Sequence, residues 1–412
     1  MGEKRPMIAS LNKLKSDPTD ADLHDFLERI RKTPLTDEAI AELAVILAES
    51  GQTLQLGRGR TCDIASTGGP SSLSTLICPL LLKQLGITVP KLGVPGRPAG
   101  AIDVLSLING YEVNLSKIKV QSILDAQGIC HFEAEESFAP LDGRLFRLRK
   151  EFNMVARADL ATASLLSKKL AVGLKHVGLE VRVAKHGNFG DSVEAARLNA
   201  ARFVHVADML GIRAVCFLTD AELPYQPFIG RGEALLALYK LFTGQADRWL
   251  AQHYSLCWKM VNALANSFFG LVSEYYSAEK LFDIFKSNIE SQGGDIGAFT
   301  KYAIKVQSDH REEIVAPSDG FISYDLGLIR DAIVNRQLSD SVSKYKYADP
   351  CGIILKKIPQ SIVSKGDVIC SVRGGKMNYK NAHLQDELSA AIIIRQGKSG
   401  NGACDLEVVD HG

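Results

Sequence analysis

Short apolar segments alternate with helix-like segments through the middle of this 412-residue chain. Each apolar segment has the length of a single strand, and each is followed by a stretch with helical spacing. Strands that are joined through helices pair in parallel, and the helices cover the faces of the sheet. The pattern therefore predicts an α/β fold with a mainly parallel sheet. The predicted strands are 89–92, 118–120, 179–183 and 214–218, and the predicted helices include 196–210, 234–242 and the stretch after Asp247.

The first fifty residues carry the start signals of two helices. The segment 17–20 opens a helix, and Thr36 caps a second helix whose first turn holds two acidic residues. Acidic side chains in a first turn face the positive end of the helix dipole. The apolar residues Leu23, Phe26, Leu27 and Ile30 share one face of the first helix. A chain of this length is too long for one core, so we expect two or three domains.

Composition excludes several classes of function. The formal net charge of +1 gives no basic field for nucleic acid. No apolar run approaches the length of a membrane span, and the N-terminus does not resemble a signal peptide. The eight cysteines are scattered without a Cys-x-x-Cys pair. We therefore predict reduced, buried thiols in a cytoplasmic protein that has no membrane partner. The histidines show no metal-ligand spacing, so no metal site is predicted.

The segment 63–75 reads Asp-Ile-Ala-Ser-Thr-Gly-Gly-Pro-Ser-Ser-Leu-Ser-Thr and precedes an apolar helical run at 76–82. Adjacent glycines let an anion approach the backbone, and the N-terminus of a helix offers free N–H groups to it. The alternative is an ordinary turn, since Gly-Gly with flanking Ser and Thr is common in turns. The residues of this segment alone do not decide between an anion-binding loop and an ordinary turn.

Four segments together resemble the thymidine and pyrimidine-nucleoside phosphorylases (class II nucleoside phosphorylases). They follow the family's order at close to its spacing, and the resemblance runs from about residue 8 to the C-terminus. The most specific is Ser-x-x-Ser-Lys-Lys-Leu-Ala, which begins at Ser164. The segments are the loop 63–75, Gly-Ala-Ile-Asp-Val-Leu at 100–105, Ala-Pro-Leu-Asp-Gly-Arg-Leu-Phe-Arg-Leu-Arg at 139–149, and 163–171.

The resemblance implies a fold distantly shared with anthranilate phosphoribosyltransferase, in three parts. A small helical domain would comprise 1–60 and a returning segment, 143–172. A larger, mainly parallel α/β domain would comprise 61–142 and 173–312, and a C-terminal α+β domain would comprise 313–412. Substrates would occupy the cleft between the first two domains, which closes by a hinge motion. The family resemblance also implies a homodimer.

The base subsite is expected at Arg149, Ser164 and Lys168, with Phe146 nearby. A pyrimidine leaves its sugar poorly unless hydrogen-bond donors stabilise the negative charge that develops on it. Ser164 and Lys168 are four residues apart and therefore lie on one face of a helix. Arg149 matches the family's base-binding arginine.

The anion subsite is expected at Ser66, Thr67, Gly68, Gly69 and Thr75, and it departs from the family pattern. Ile64 and Ala65 replace the lysine that binds phosphate and the histidine that assists the departing base. Lys91, together with Arg97, is a candidate source of the missing positive charge. The alternative is an anion site that has been lost or adapted to another acceptor, with Lys91 a plain surface lysine.

Two further residues have open roles. His186 is either an acid or hydrogen-bond donor in the cleft or a solvent-exposed loop histidine. Glu233 is a candidate ligand for a monovalent cation, as in some family members.

The leading prediction is a glycosyltransferase that cleaves the N-glycosidic bond of a pyrimidine nucleoside or deoxynucleoside, with phosphate as co-substrate and no other cofactor. One alternative is a hydrolase or transferase that acts on a modified nucleoside or nucleotide. The other is a non-catalytic homologue that binds a nucleoside. The partners expected are a small nucleoside and an anion.

Overall fold

The computed structural model describes residues 10–57, 59–134, 137–185, 187, 189–272, 274–340, 343, 346–397 and 406–410. The helices are α1 (Asp20–Ile30), α2 (Asp37–Glu49), α3 (Ser74–Gln84), α4 (Ala101–Leu105), α5 (Lys117–Gln127), α6 (Pro140–Glu151), α7 (Ala158–Ala171), α8 (Val193–Met209), α9 (Arg231–Phe242), α10 (Arg248–Phe269), α11 (Phe282–Ser291), α12 (Ile296–Ser308), α13 (Leu326–Ser339) and α14 (Leu384–Ala390), with a 3-10 helix at Ala278–Leu281. Within the described ranges, no helix is both long enough and apolar enough to cross a bilayer.

The strands form a central α/β sheet and several smaller sheets. They are β1 (Asp63–Ser66), β2 (Val89–Gly93), β3 (Ile129–Glu133), β4 (His176–Val183), β5 (Arg213–Asp220), β6 (Phe228–Ile229), β7 (Arg311–Val315), β8 (Gly320–Tyr324), β9 (Gly352–Leu355), β10 (Ile362–Val363), β11 (Val368–Arg373), β12 (Asn378–Tyr379), β13 (Ala382–His383), β14 (Ile392–Arg395) and β15 (Glu407–Val409). The central sheet has the order β1-β4-β5-β15, and β1, β4 and β5 are parallel. A second parallel pair, β2-β3, lies beside it. The predicted α/β class is confirmed.

The predicted strand at 118–120 is wrong, because these residues lie in helix α5. The Ser116 side chain accepts a hydrogen bond from the Lys119 N–H at 3.3 Å and caps the helix. Gly128, at φ +68°, ends it. Ile118 is 82% exposed, so its β-branched side chain marks neither a strand nor the core. The β-branched composition favoured a strand, and the capping residues outweigh it.

The N-terminal helices start as their caps predict, and helices α6 and α7 pack against them. Thr19 and Thr36 are the N-caps of α1 and α2. The Leu35 N–H donates to the buried carboxylate of Asp159 in α7, at 3.0 Å. The apolar residues of these helices continue into one core with strands β3 and β4. The helical layer therefore shares its apolar core with these strands.

The C-terminal part is built from two antiparallel sheets, β10-β8-β14 and β6-β9-β11-β7, packed with α13 and α14. Two short strands cross the predicted boundary at residues 312–313. Strand β6 precedes the boundary but pairs with β9. Strand β15 follows it but pairs with β5 of the central sheet. The domain bounds themselves stay a prediction.

Seven cysteines lie in the described ranges, and all of them are buried, free thiols, as predicted. Burial raises the pKa of these thiols where a shift is resolved, for example that of Cys370 to about 12. The thiols whose pKa is raised are thus protonated at neutral pH, which makes them packing groups rather than reactive ones.

Candidate active site

The glycine loop lies between the carboxyl end of β1 and the start of α3. Gly68 and Gly69 have φ values of +89° and +128°, a region that side-chain-bearing residues rarely adopt. The Thr67 N–H donates to the Glu180 carbonyl at 3.0 Å, so the loop continues the pairing of β1 with β4. Ligands of open α/β sheets bind beyond the carboxyl ends of the strands. The loop is therefore at the edge where a substrate is expected.

The predicted anion residues lie together on this loop. Ser66 ends β1, and Thr67, Gly68 and Gly69 follow it, while Thr75 lies in the first turn of α3. Within the described part of the chain, the backbone N–H groups of residues 69, 71 and 75 have no hydrogen-bond partner. Unpaired N–H groups at a helix N-terminus are suited to bind an anion.

A buried ionic triad lies at the start of β1, the strand that leads into the loop. The Lys91 ammonium donates to Asp63 Oδ1 at 2.7 Å and to the Ile64 carbonyl. The Lys169 ammonium donates to Asp63 Oδ2 at 2.5 Å. Lys91 is thus not a surface lysine, since its side chain is only 7% exposed. Its charge lies against the backbone of residue 64, where the resembled family carries its lysine.

The triad holds one net positive charge, because two ammonium groups share one carboxylate. Burial by itself would raise the pKa of Asp63, but Lys169 and Lys91 outweigh burial and lower the pKa to about 2. Burial, with Lys91 as a neighbouring cation, lowers the pKa of Lys169. The carboxylate is ionised at every pH at which the protein is expected to work, and it holds both lysines in place.

Helix α7 brings two of the predicted base-binding residues into contact. The Lys168 ammonium donates to Ser164 Oγ at 3.0 Å, which confirms that the two share a helix face. The same ammonium forms a buried ion pair with Asp142 of α6. The lysine therefore carries its charge beside Ser164 with a fixed orientation. Its neighbour in sequence, Lys169, belongs to the triad, so α7 carries one lysine of the predicted base subsite and one lysine of the triad.

Arg149 lies at the C-terminal end of α6 and is 2% exposed. Its guanidinium donates to the carbonyl oxygens of Met154, Val155 and Leu160, at 3.4, 3.0 and 3.4 Å. Burial lowers the pKa of Arg149 to about 10, so it is charged at neutral pH. The guanidinium lies 5.7 Å from the centre of the Phe146 ring. Arg149 thus fixes the turn that leads into α7 and reaches the same helix as Ser164 and Lys168.

The remaining predicted residues are Arg97, His186 and Glu233. Arg97 is exposed on the loop after β2, and His186 lies outside the described residues. Glu233 accepts hydrogen bonds from Arg311 and Arg373 at 2.8–2.9 Å on one oxygen and from Arg373 on the other. A cation at Glu233 would lie beside two guanidinium groups.

The loop between β2 and α4, which carries Arg97, is held by Asp103, a residue to which sequence reasoning assigned no role. Asp103 accepts hydrogen bonds from the N–H groups of Gly96 and Gly100 at 2.7 and 3.0 Å. Arg231 Nε donates to the other carboxylate oxygen of Asp103 at 2.7 Å. Burial outweighs Arg231 and raises the pKa of Asp103.

Several residues of the candidate site were missed by sequence reasoning, although three of them lie in motifs that it used. Asp63 opens the glycine-loop segment, Lys169 is the second lysine of the Ser-Lys-Lys string, and Asp142 belongs to the segment 139–149. Glu180 and Arg182 lie on β4 under the glycine loop. The available signal was a charged residue within an otherwise apolar strand, since such residues are seldom buried without a partner.

The protein is expected to lose stability as the pH falls from 6.5 to 5, because two histidines are buried in the neutral form. Burial lowers the pKa of His131 and of His253 to about 4, while unfolded histidine titrates near 6.5. The unfolded chain therefore takes up protons that the folded chain does not, and acid favours unfolding. The free energy of unfolding should fall by roughly 1–2 kcal/mol for each histidine. Urea unfolding at several pH values measures this pH dependence. His131→Leu should remove about half of the slope, and an unchanged slope would contradict the assignment.

Known proteins resemble the chain in sequence and in fold. No protein-family model matches it. A pyrimidine-nucleoside phosphorylase from Staphylococcus haemolyticus is 24% identical over 358 residues, which cover 84% of this chain and 82% of that protein. An AMP phosphorylase from Methanococcus maripaludis is 26% identical over 368 residues, which cover 87% and 70%. Anthranilate phosphoribosyltransferase from Thermus thermophilus superposes with a TM-score of 0.52 at 16% identity, over 75% of this chain and 96% of that structure.

These comparisons confirm the resemblance that the four motifs indicated. The relatives cover most of the chain at low identity, and the solved structure shares its fold. The chain is therefore similar to the pyrimidine-nucleoside and AMP phosphorylases over most of its length, as a divergent relative on the fold of anthranilate phosphoribosyltransferase.

Proposed function

We propose that this protein is a pentosyltransferase of the nucleoside phosphorylase type. It cleaves the N-glycosidic bond of a pyrimidine ribonucleoside or deoxyribonucleoside, and a phosphate oxygen forms the new bond to C1′. The observation that carries the proposal is that α7 links two of the predicted base-binding residues to the strand before the glycine loop. Lys168 and Ser164 lie on one side of the helix, and Lys169 joins it to Asp63, where the strand before the glycine loop begins.

The base subsite supplies the positive charge that this reaction needs. As the bond to C1′ breaks, negative charge develops on the oxygens and ring nitrogen of the pyrimidine. Lys168 and Arg149 are cations, and Ser164 is a neutral donor. Both cations are buried, so their interaction with the base is weakly screened by water. Asp142 orients Lys168, and the backbone carbonyls around the turn orient Arg149.

The anion subsite combines free backbone donors with one net charge. The unpaired N–H groups of Gly69, Ser71 and Thr75 are the proposed ligands of a phosphate oxygen, with the hydroxyls of Ser66 and Thr67. The triad of Lys91, Asp63 and Lys169 adds a positive field from beneath β1. Lys91 supports the subsite through this field, because its own hydrogen bonds go to Asp63 and to the backbone.

One observation favours a second candidate function, in which the acceptor or the substrate differs. Ile64 and Ala65 are apolar and buried, so neither of them provides the ionisable groups that the resembled family has here. An acceptor other than phosphate, or a nucleotide in place of a nucleoside, suits a loop that offers neutral donors. The AMP phosphorylase among the relatives makes a nucleoside monophosphate the first nucleotide to test.

Incubation with uridine, thymidine, cytidine or AMP, with and without phosphate, tests the proposal. Chromatography should show free pyrimidine and a sugar 1-phosphate only when phosphate is present. Base release without phosphate would replace the proposal with hydrolysis, and release from AMP alone would move the substrate to nucleotides. Absence of release from all four would favour a binding protein.

The proposal includes a cytoplasmic homodimer. The buried free thiols support a reducing compartment. Sedimentation equilibrium tests the dimer, and a monomeric mass at micromolar concentration would contradict it.

A further inference from the structure

Two charged residues on β4 lie directly under the glycine loop. Glu180 and Arg182 are two positions apart, so they project from the same face of the strand. Their side chains are 0% and 5% exposed. Arg182 Nε and Nη2 both donate to Glu180 Oε2, at 3.1 and 3.0 Å. The pair is neutral as a whole, so its role is geometric rather than one of net charge.

The remaining donors of Arg182 reach the loop from below. Its Nη1 donates to the Gly69 carbonyl at 2.9 Å, and its Nη2 lies 3.3 Å from Ser74 Oγ. The backbone N–H of Arg182 donates to Thr67 Oγ1 at 3.0 Å. One residue therefore contacts the beginning, the middle and the end of the loop. Ser74 Oγ also donates to Glu180 Oε2 at 2.5 Å, which ties the first turn of α3 to the same pair.

We propose that Arg182 is a positioning residue that fixes the loop in the form that binds phosphate. The inference rests on the proposed function for the identity of the anion. A loop that is ordered before binding does not pay its conformational entropy when the anion arrives. Because the Gly69 carbonyl is held from below, the N–H groups of the loop keep one orientation. Arg182 itself does not contact the anion.

The ammonium of a lysine cannot make all of the hydrogen bonds that the Arg182 guanidinium makes here. The guanidinium is a planar fork whose N–H groups point in several fixed directions, whereas an ammonium is a point charge on a flexible stem. Arg182→Lys preserves the ion pair with Glu180 and loses the simultaneous bonds to Gly69 and Ser74. The substitution therefore separates the positioning role from the charge.

The test compares Arg182→Lys with Arg336→Lys. Arg336 is a matched control, since it is fully buried, pairs with Glu387, and donates to two carbonyls in the C-terminal part. Isothermal calorimetry with inorganic phosphate measures anion binding without turnover. Steady-state kinetics give KM for phosphate and KM for the nucleoside separately. Ser74→Ala is a second, milder variant that removes only the hydroxyl.

In Arg182→Lys we expect phosphate affinity to fall about tenfold, as for the loss of one charge-assisted hydrogen bond. The nucleoside KM should stay within about twofold, and Ser74→Ala should shift phosphate affinity in the same direction by less. Equal changes in both KM values, or the same change in Arg336→Lys, would overturn the inference and indicate a general loss of structure. If the wild-type protein binds phosphate but does not cleave nucleosides, the proposed function is wrong. The role of Arg182 is then decided by the calorimetric phosphate affinity of Arg182→Lys alone. If the wild-type protein binds no phosphate, both fail.

Discussion

Lys168→Met should reduce base release by roughly a hundredfold to a thousandfold, with a smaller effect on nucleoside binding. The ammonium of Lys168 is held beside Ser164 by the buried carboxylate of Asp142. In the proposed reaction it is therefore in place before the glycosidic bond breaks, and it should gain interaction energy as charge develops on the base. Steady-state kinetics with the nucleoside that the wild-type protein cleaves measure the loss.

Two controls separate catalysis from folding in that experiment. Lys168→Met leaves Asp142 buried without its partner, and the double variant Lys168→Met/Asp142→Asn removes that penalty. Its urea unfolding midpoint should recover while its activity stays low. Lys175→Met changes an exposed lysine just beyond α7 and should leave turnover unchanged. Turnover within threefold of the wild type in Lys168→Met would remove the residue from the site.

Asp63→Asn should destabilise the protein by about 3–5 kcal/mol, the usual cost of breaking a buried ion pair from one side. The substitution leaves Lys91 and Lys169 as neighbouring buried cations without a carboxylate. One of them should then lose its proton, so the loss of stability should shrink as the pH rises. Urea unfolding between pH 6 and 9 measures both the loss and its pH dependence.

Removal of one lysine provides the internal control for Asp63. In Asp63→Asn/Lys169→Met the repulsion is gone, and part of the lost stability should return. Asp367→Asn is the control at a partly exposed ion pair, with Lys357 at 2.9 Å, where solvent screens the charges and a smaller loss of stability is expected. If Asp63→Asn lowers the free energy of unfolding by no more than Asp367→Asn does, the triad does not stabilise the fold as we describe.

The parts of the fold that the sequence predicted are those that local interactions decide. The caps at Thr19 and Thr36 and the apolar strands β4 and β5 depend on neighbours in sequence, and they were found where expected. The error at Ile118 arose because branched side chains suit strands, while the cap that starts helix α5 lies just before it. Strand β15 was not predicted because its pairing with β5 depends on a partner far away in the chain.

The site divides in the same way. The four-residue spacing of Ser164 and Lys168 was enough to predict that they share a helix face, and the structure shows that they are also hydrogen-bonded. The carboxylate with which each lysine pairs could not be predicted. Asp142 lies 26 residues from Lys168 in the sequence, and Asp63 lies 106 residues from Lys169. Sequence spacing cannot show that two adjacent lysines serve different carboxylates, because the fold alone brings those carboxylates to the two sides of α7.

Strand β15 also has a consequence for how the protein is made. Arg197 of α8 and Glu407 of β15 are 210 residues apart in the chain, yet their side chains meet at 2.6 Å. Translation proceeds at about 5–20 residues per second, so β5 leaves the ribosome on the order of 10–40 s before the strand that covers it. During that interval β5 is an open edge that can pair with a strand of another nascent chain. Newly synthesised molecules on one polysome are therefore most prone to aggregate in the seconds before β15 emerges.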